Sequence, residues 1–128
     1  MVKPVDKKLY KNYLQKAEEM IEMARYAVVS SKNNAAVVAS IHCAINAMDA
    51  LSVFYFGKRQ SGVHETAVGS LRAALSEGEF KEVAKQFGGL IELKNQAEYQ
   101  PDLMGQRQAA DAVRRAERIL SQVREKLQ

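Results

Sequence analysis

The stretch from Asn33 to Phe56 constrains the fold more than any other part of the chain. From Ala35 to Phe56 the only polar residues are Ser40, His42, Asn46, Asp49 and Ser52. Val37, Ile41, Ala44, Met48, Leu51 and Tyr55 recur at the spacing of a helix seam, and Ala39, Cys43, Ala47, Ala50 and Phe54 form a second apolar stripe on the opposite side. A helix that is apolar on two faces has to be covered on both, which predicts the central helix of a bundle. The run is long enough to span a bilayer. His42, Asn46 and Asp49 fall in its middle along one edge, however, and each costs on the order of 2 kcal/mol or more in hydrocarbon. No membrane span is expected.

The remaining segments read as helices that cover this one. Pro4 to Asp6 is expected to open a first helix whose inner face is Leu9 or Tyr10, Tyr13, Leu14, Ala17, Met20, Ile21, Ala24 and Val28. Ser30 to Asn34 is a turn, with Asn33 or Asn34 able to cap the central helix. Gly57 stops that helix, and a basic loop follows. A short third helix is expected over Val63–Leu75, facing inward through Val63, Ala67, Leu71 and Leu75. Ser76 then pairs with Glu79 as a capping box, with Leu75 and Phe80 as a hydrophobic staple. A fourth helix from about Glu77 to Glu98 buries Phe80, Val83, Ala84, Phe87, Leu90 and Ile91. Gly88 and Gly89 inside it imply a kink or a close approach. Pro101 ends it, and Asp102 is placed to start a last amphipathic helix through Ala109, Val113, Ala116, Leu120, Val123 and Leu127. No stretch alternates as a strand does. The expected fold is therefore all-α, an antiparallel up-and-down four-helix bundle with an additional short helix, in one domain over residues 1–128.

Composition narrows the chemistry. A single cysteine, Cys43, forbids an internal disulfide and a cysteine-based zinc site, and the N-terminus has no secretory signal pattern, so the cytoplasm is the default location. The net charge of +4 permits contact with phosphate. Lys3, Lys7, Lys8 and Lys11 crowd the start, and the last 23 residues hold six basic and three acidic groups. Pairs such as Asp111 with Arg115 make a solvated face the simpler reading of the last segment. A di-metal carboxylate site needs Glu-x-x-His on two helices, but Ala39 precedes His42 and Ser61 precedes His64 at that spacing. Phosphate loops and a nucleophile elbow are also absent, and no metal or cofactor is expected.

Several polar residues stand in unexpected places. His64 lies near a helix start, where the dipole discourages its protonation. Continuing the buried stripe of the fourth helix by geometry reaches Lys94 and Glu98, two opposite charges one turn apart where apolar residues belong. Either they satisfy each other at an interface or they face a ligand.

The run LIELKNQAEYQP from Leu90, followed by AADAVRRAERILSQV from Ala109, resembles the HEPN family of small helical domains linked to nucleotide binding. One branch carries Arg-x-x-Ala-Asp/Glu-Tyr near the end of the penultimate long helix and Ala-x6-Ala in the last. Here these positions hold Lys94, Ala97, Glu98 and Tyr99, with Ala109 and Ala116, and YLQKAEEMIEMAR and SGVHETAV fit the same branch. The resemblance implies a homodimer, a nucleotide or RNA ligand, and a small nucleotidyltransferase partner in a toxin–antitoxin-like pair. Many members look like metal-independent ribonucleases built on Arg-x(4-6)-His, with His as acid or base and Arg on the phosphate. This chain has Lys94 for the arginine and Tyr99 for the histidine. Lysine lacks the bidentate fork, and tyrosine is a poor base at neutral pH. The expectation is thus a non-catalytic binding module with Lys94, Asn95, Glu98, Tyr99 and His64 lining a ligand cleft. The alternatives are a weak ribonuclease using Tyr99 and His64, and a purely structural dimeric module. On an ideal helix Lys94 and Tyr99 point about 140° apart, so Tyr99 is expected past the helix end if the two are to meet.

Overall fold

The computed structural model describes residues 2–60 and 66–128. Four long helices dominate: α1 (Tyr10–Val29), α2 (Asn33–Phe56), α4 (Glu77–Tyr99) and α5 (Gln106–Lys126), with the single turn α3 (Thr66–Gly69) between α2 and α4. The all-α bundle expected from the apolar spacing is what forms. Helix α2 is its centre, packed against α1, α4 and α5. Both of its apolar stripes are covered along most of their length, since Val37, Ile41, Ala44, Met48, Leu51, Cys43, Ala47 and Ala50 are all buried, whereas Ala39 and Phe54 are half-buried and Tyr55 is exposed. Its most apolar window has a mean hydropathy of 1.6, long and apolar enough to cross a membrane, yet 67% of that window is buried inside the bundle. Cross-links at both ends set the direction of α5. Asn34 Oδ1 accepts from the Met104 N–H just before α5 (2.8 Å), and the Tyr55 hydroxyl near the end of α2 donates to the Lys126 carbonyl (3.0 Å). The two helices therefore run parallel, with α1 and α4 antiparallel to them.

Local chemistry explains most boundaries. Ser76 Oγ accepts from the Glu79 N–H (3.2 Å) while Glu79 Oε1 accepts from the Ser76 N–H (2.7 Å), completing the capping box. Gly57 ends α2 at φ 67°, in the left-handed region that glycine enters without a Cβ clash. Asp6 accepts from the Lys8 N–H (3.0 Å) and caps a short 3-10 turn that leads into α1.

Four local expectations are corrected. Pro4 does not open α1. It lies in strand β1 (Val2–Pro4), which pairs antiparallel with β2 (Lys58–Gln60) as a two-stranded ribbon. The third helix is shorter than expected: α3 is followed by a 3-10 turn at Arg72–Ala74, and Val68, Leu71 and Leu75 supply its buried side. Val63 and His64 lie outside the described residues. Asn33 and Asn34 do not cap α2. Their side chains reach the Met104 carbonyl and N–H instead, tying the loop before α5 to the bundle. Asp102 does not start α5 either; Gly105 does, with Gln108 Oε1 accepting from its N–H (2.8 Å).

Candidate functional site

The end of the bundle where α4 stops and α5 begins gathers most of the residues singled out above. Along α4 the stripe Val83, Phe87 and Leu90 is buried, and Lys94 continues it with a side chain only 17% exposed. The ammonium reaches out along this packed stem, as long cationic side chains do at an apolar edge. Its Nζ lies 2.9 Å from Glu98 Oε2 and 5.5 Å from the centre of the Tyr99 ring. Glu98 raises the pKa of Lys94, so the ammonium stays charged through the physiological range.

Lys94 and Tyr99 thus do meet, but not by the expected route. Tyr99 is the last residue of α4, not a residue beyond it, and the length of the lysine side chain spans the angular gap. Asn95 is exposed on the same final turns. His64 cannot be placed with them, because it falls outside the described residues. The Lys94–Glu98 pair runs against helix electrostatics. A carboxylate in the last turn faces the negative end of the dipole, and Lys before Glu is the weaker order for an i,i+4 pair. Helix stability alone does not account for this arrangement.

Two neighbouring features were harder to read from sequence. Gln108 Nε2 donates to Gln96 Oε1 (3.2 Å), which joins the last turns of α4 to the start of α5. Gln108 also lines an open cleft with Arg107, Ala110, Asp111 and Arg114. Below this cleft, Asp111 is shared between Arg114 and Arg115, and Arg115 Nε donates to it at 2.9 Å. Arg115 also donates to Gln86 Oε1 (3.2 Å). A Cβ on Gly89 would stand 2.4 Å from the Arg115 guanidinium carbon. The close approach implied by the glycine pair is therefore a seat for an arginine. Asp111 with Arg115, read above as a solvated pair, is a partly buried clamp between α5 and α4, and the Gly-Gly doublet was its one sequence signal.

The polar edge of α2 separates into different environments. His42 is exposed, and Asn46 Nδ2 donates back to the His42 carbonyl (2.8 Å). Asp49 is only 8% exposed and lies 4.0 Å from Arg59 Nε of β2, beyond hydrogen-bonding range. Burial pushes its carboxyl up to about 6 despite that cation. Asp49 sits at the opposite end of α2 from Asn33 and Asn34, and so apart from Lys94. Among the described residues no group of His, Cys, Asp and Glu is placed to hold a metal ion.

No curated protein shows significant similarity to the chain. The family comparison is informative: the HEPN domain matches residues 10–126, which covers all four long helices. With the helical bundle in agreement, the chain belongs to the HEPN family, a family of nucleotide-binding and ribonuclease-like modules.

Proposed function

We propose that this HEPN domain is a nucleotide- or RNA-associated binding module in which Lys94 contacts an anionic group, with Asn95, Glu98 and Tyr99 lining the cleft. The observation that carries this reading is the Lys94 ammonium, anchored on a packed stem between a carboxylate and an exposed aromatic ring. An ammonium has three donors, and Glu98 occupies one of them. The other two remain for phosphate oxygens, while the Tyr99 ring, 71% exposed, offers a face on which a base can stack. Glu98 serves to position the ammonium.

Binding without turnover is the favoured activity. Lysine acts on phosphate as a point charge and lacks the two-pronged geometry of arginine. Glu98 holds Lys94 in its protonated form, so the lysine does not serve as a base near neutrality. Family membership supports two further elements of the proposal. One is a homodimer that brings two such sites together, and the other is pairing with a small nucleotidyltransferase in a toxin–antitoxin-like system.

The test is fluorescence anisotropy with a labelled single-stranded RNA and, separately, a labelled adenine nucleotide. Lys94→Ala is expected to weaken binding about tenfold or more, the size of one lost charge-assisted contact, with helix content unchanged. Equal affinity of wild type and Lys94→Ala would refute the site. RNA cleavage that survives EDTA and disappears in Tyr99→Phe would refute the non-catalytic reading.

A further inference from the structure

Beside the Lys94 site, on the other flank of α5, lies a groove of different character. Arg25, Val28 and Val29 at the end of α1 and Ala110 and Val113 of α5 line it. The Gln106 side chain donates to the Val28 carbonyl (3.3 Å) and fixes one helix against the other. The groove adjoins the cleft of Arg107, Gln108, Asp111 and Arg114, the two sharing Ala110. The same end of the bundle carries the most exposed large apolar side chains among the described residues: Val29 at 85%, Leu103 at 82%, Tyr99 at 71% and Tyr26 at 60%. A concentration of uncovered apolar surface at one end of a small domain marks an interaction surface.

Charge selects the occupant. Arg107 has no carboxylate within 4 Å among the described residues, and one carboxylate, Asp111, serves both Arg114 and Arg115. Arg25 is paired with Glu117 (2.6 Å) at the far rim. Arg107 is therefore without a carboxylate partner among the described residues and Arg114 has only a share of Asp111, which leaves this strip of α5 net positive beside an aliphatic floor. A second copy related by a two-fold axis would set these arginines against themselves. A nucleic acid would gain little from the valines, because single strands bind through stacking on aromatic faces.

We propose that the α1–α5 groove and its arginine row form a docking surface for an acidic amphipathic helix of a partner protein. Apolar anchors at i, i+3 and i+7 of that helix fill the valine floor, and carboxylates on its flank meet Arg107 and Arg114. These two arginines lie seven residues apart on α5, about 10 Å, which matches acidic residues two turns apart on the partner.

The experiment is calorimetric titration of the full chain with a five-turn peptide (about 18 residues) that carries leucines on one face and glutamates beside them. The matching peptide with lysines for glutamates is the comparison. Saturable binding of the acidic peptide is expected, with the lysine peptide and the exposed-site variants Val29→Asp and Arg107→Glu each about tenfold weaker or worse. Lys94→Ala should bind the peptide as wild type does, which separates this surface from the nucleotide site. No binding, equal binding of the two peptides, or loss of single-stranded RNA binding in Arg107→Glu with peptide affinity unchanged would each overturn the proposal.

Discussion

The two ends of the bundle treat polar and apolar groups in opposite ways. At the end where α2 stops, the ribbon of β1 and β2 folds over the helix terminus, the Val5 N–H donates to the Gly57 carbonyl (2.8 Å), and Tyr10 packs edge-on against Phe54 at 4.8 Å. Apolar surface is better covered there, with Leu9 at 44% and Tyr55 at 39% exposed, and a carboxylate, Asp49, is taken inside. At the end where α4 stops, Tyr99, Leu103, Tyr26 and Val29 face solvent and Lys94 reaches out beside them. The covered end thus holds a buried titrating group that affects stability, while the open end leaves apolar and charged surface facing solvent, where the proposed contacts would form. Oddly placed polar residues alone do not distinguish the two, because Asp49 and Lys94 are equally odd in sequence.

The largest effect should come from Asp49. Its folded carboxyl lies at about 6 against an ordinary 3.8. The folded state therefore holds an extra proton between those values, and stability declines as pH rises from about 4 to 6. Two units correspond to about 3 kcal/mol. Asp49→Asn should remove this slope and stabilise the protein by up to about 3 kcal/mol at neutral pH, as read by urea unfolding across pH. An unchanged slope would break the contrast between the ends.

Adjacent glycines give the next effect, with opposite signs. Gly88→Ala meets nothing within 4 Å and should gain about 0.5 to 1 kcal/mol from helix propensity. Gly89→Ala must evict the Arg115 guanidinium from Asp111 and Gln86, and should cost about 1 to 2 kcal/mol net. Hydrogen exchange should then quicken at the start of α5 and not around Asp49. A smaller change is expected for Lys94→Met, within about 1 kcal/mol, because its partner Glu98 is free to turn to water. Smallest of all is the reactivity of Cys43. Fully buried, with its thiol pushed up to about 12, it should resist alkylation until the chain unfolds.

Much of the fold was legible because its causes are local. The two apolar stripes of α2, the Ser76–Glu79 box and Gly57 all act within a few residues of themselves. The misreadings share the opposite trait. Pro4 favours a helix start locally, but residues 2–4 find residues 58–60 as strand partners, and three-residue strands leave no periodicity to read. Asn33 and Asn34 look like caps, but the distant loop at Met104 competes for their side chains. At the proposed site, the grouping of Lys94, Glu98 and Tyr99 was legible because one helix carries all three. Their meeting depends on side-chain reach, which helical angles alone understate. The Arg115 seat was half legible through Gly89. The Val28–Val113 groove was not legible at all, since it exists only where two helices distant in sequence come together.

The most direct test of the account is a nitrogen–proton correlation spectrum of the protein titrated with a short single-stranded RNA, and then with an adenine nucleotide. The account predicts shifts at Lys94, Asn95, Glu98, Tyr99 and the adjoining start of α5, abolished by Lys94→Ala, with signals around Asp49 and Arg59 unmoved. Shifts centred on the ribbon and Asp49, or none with either ligand, would contradict it.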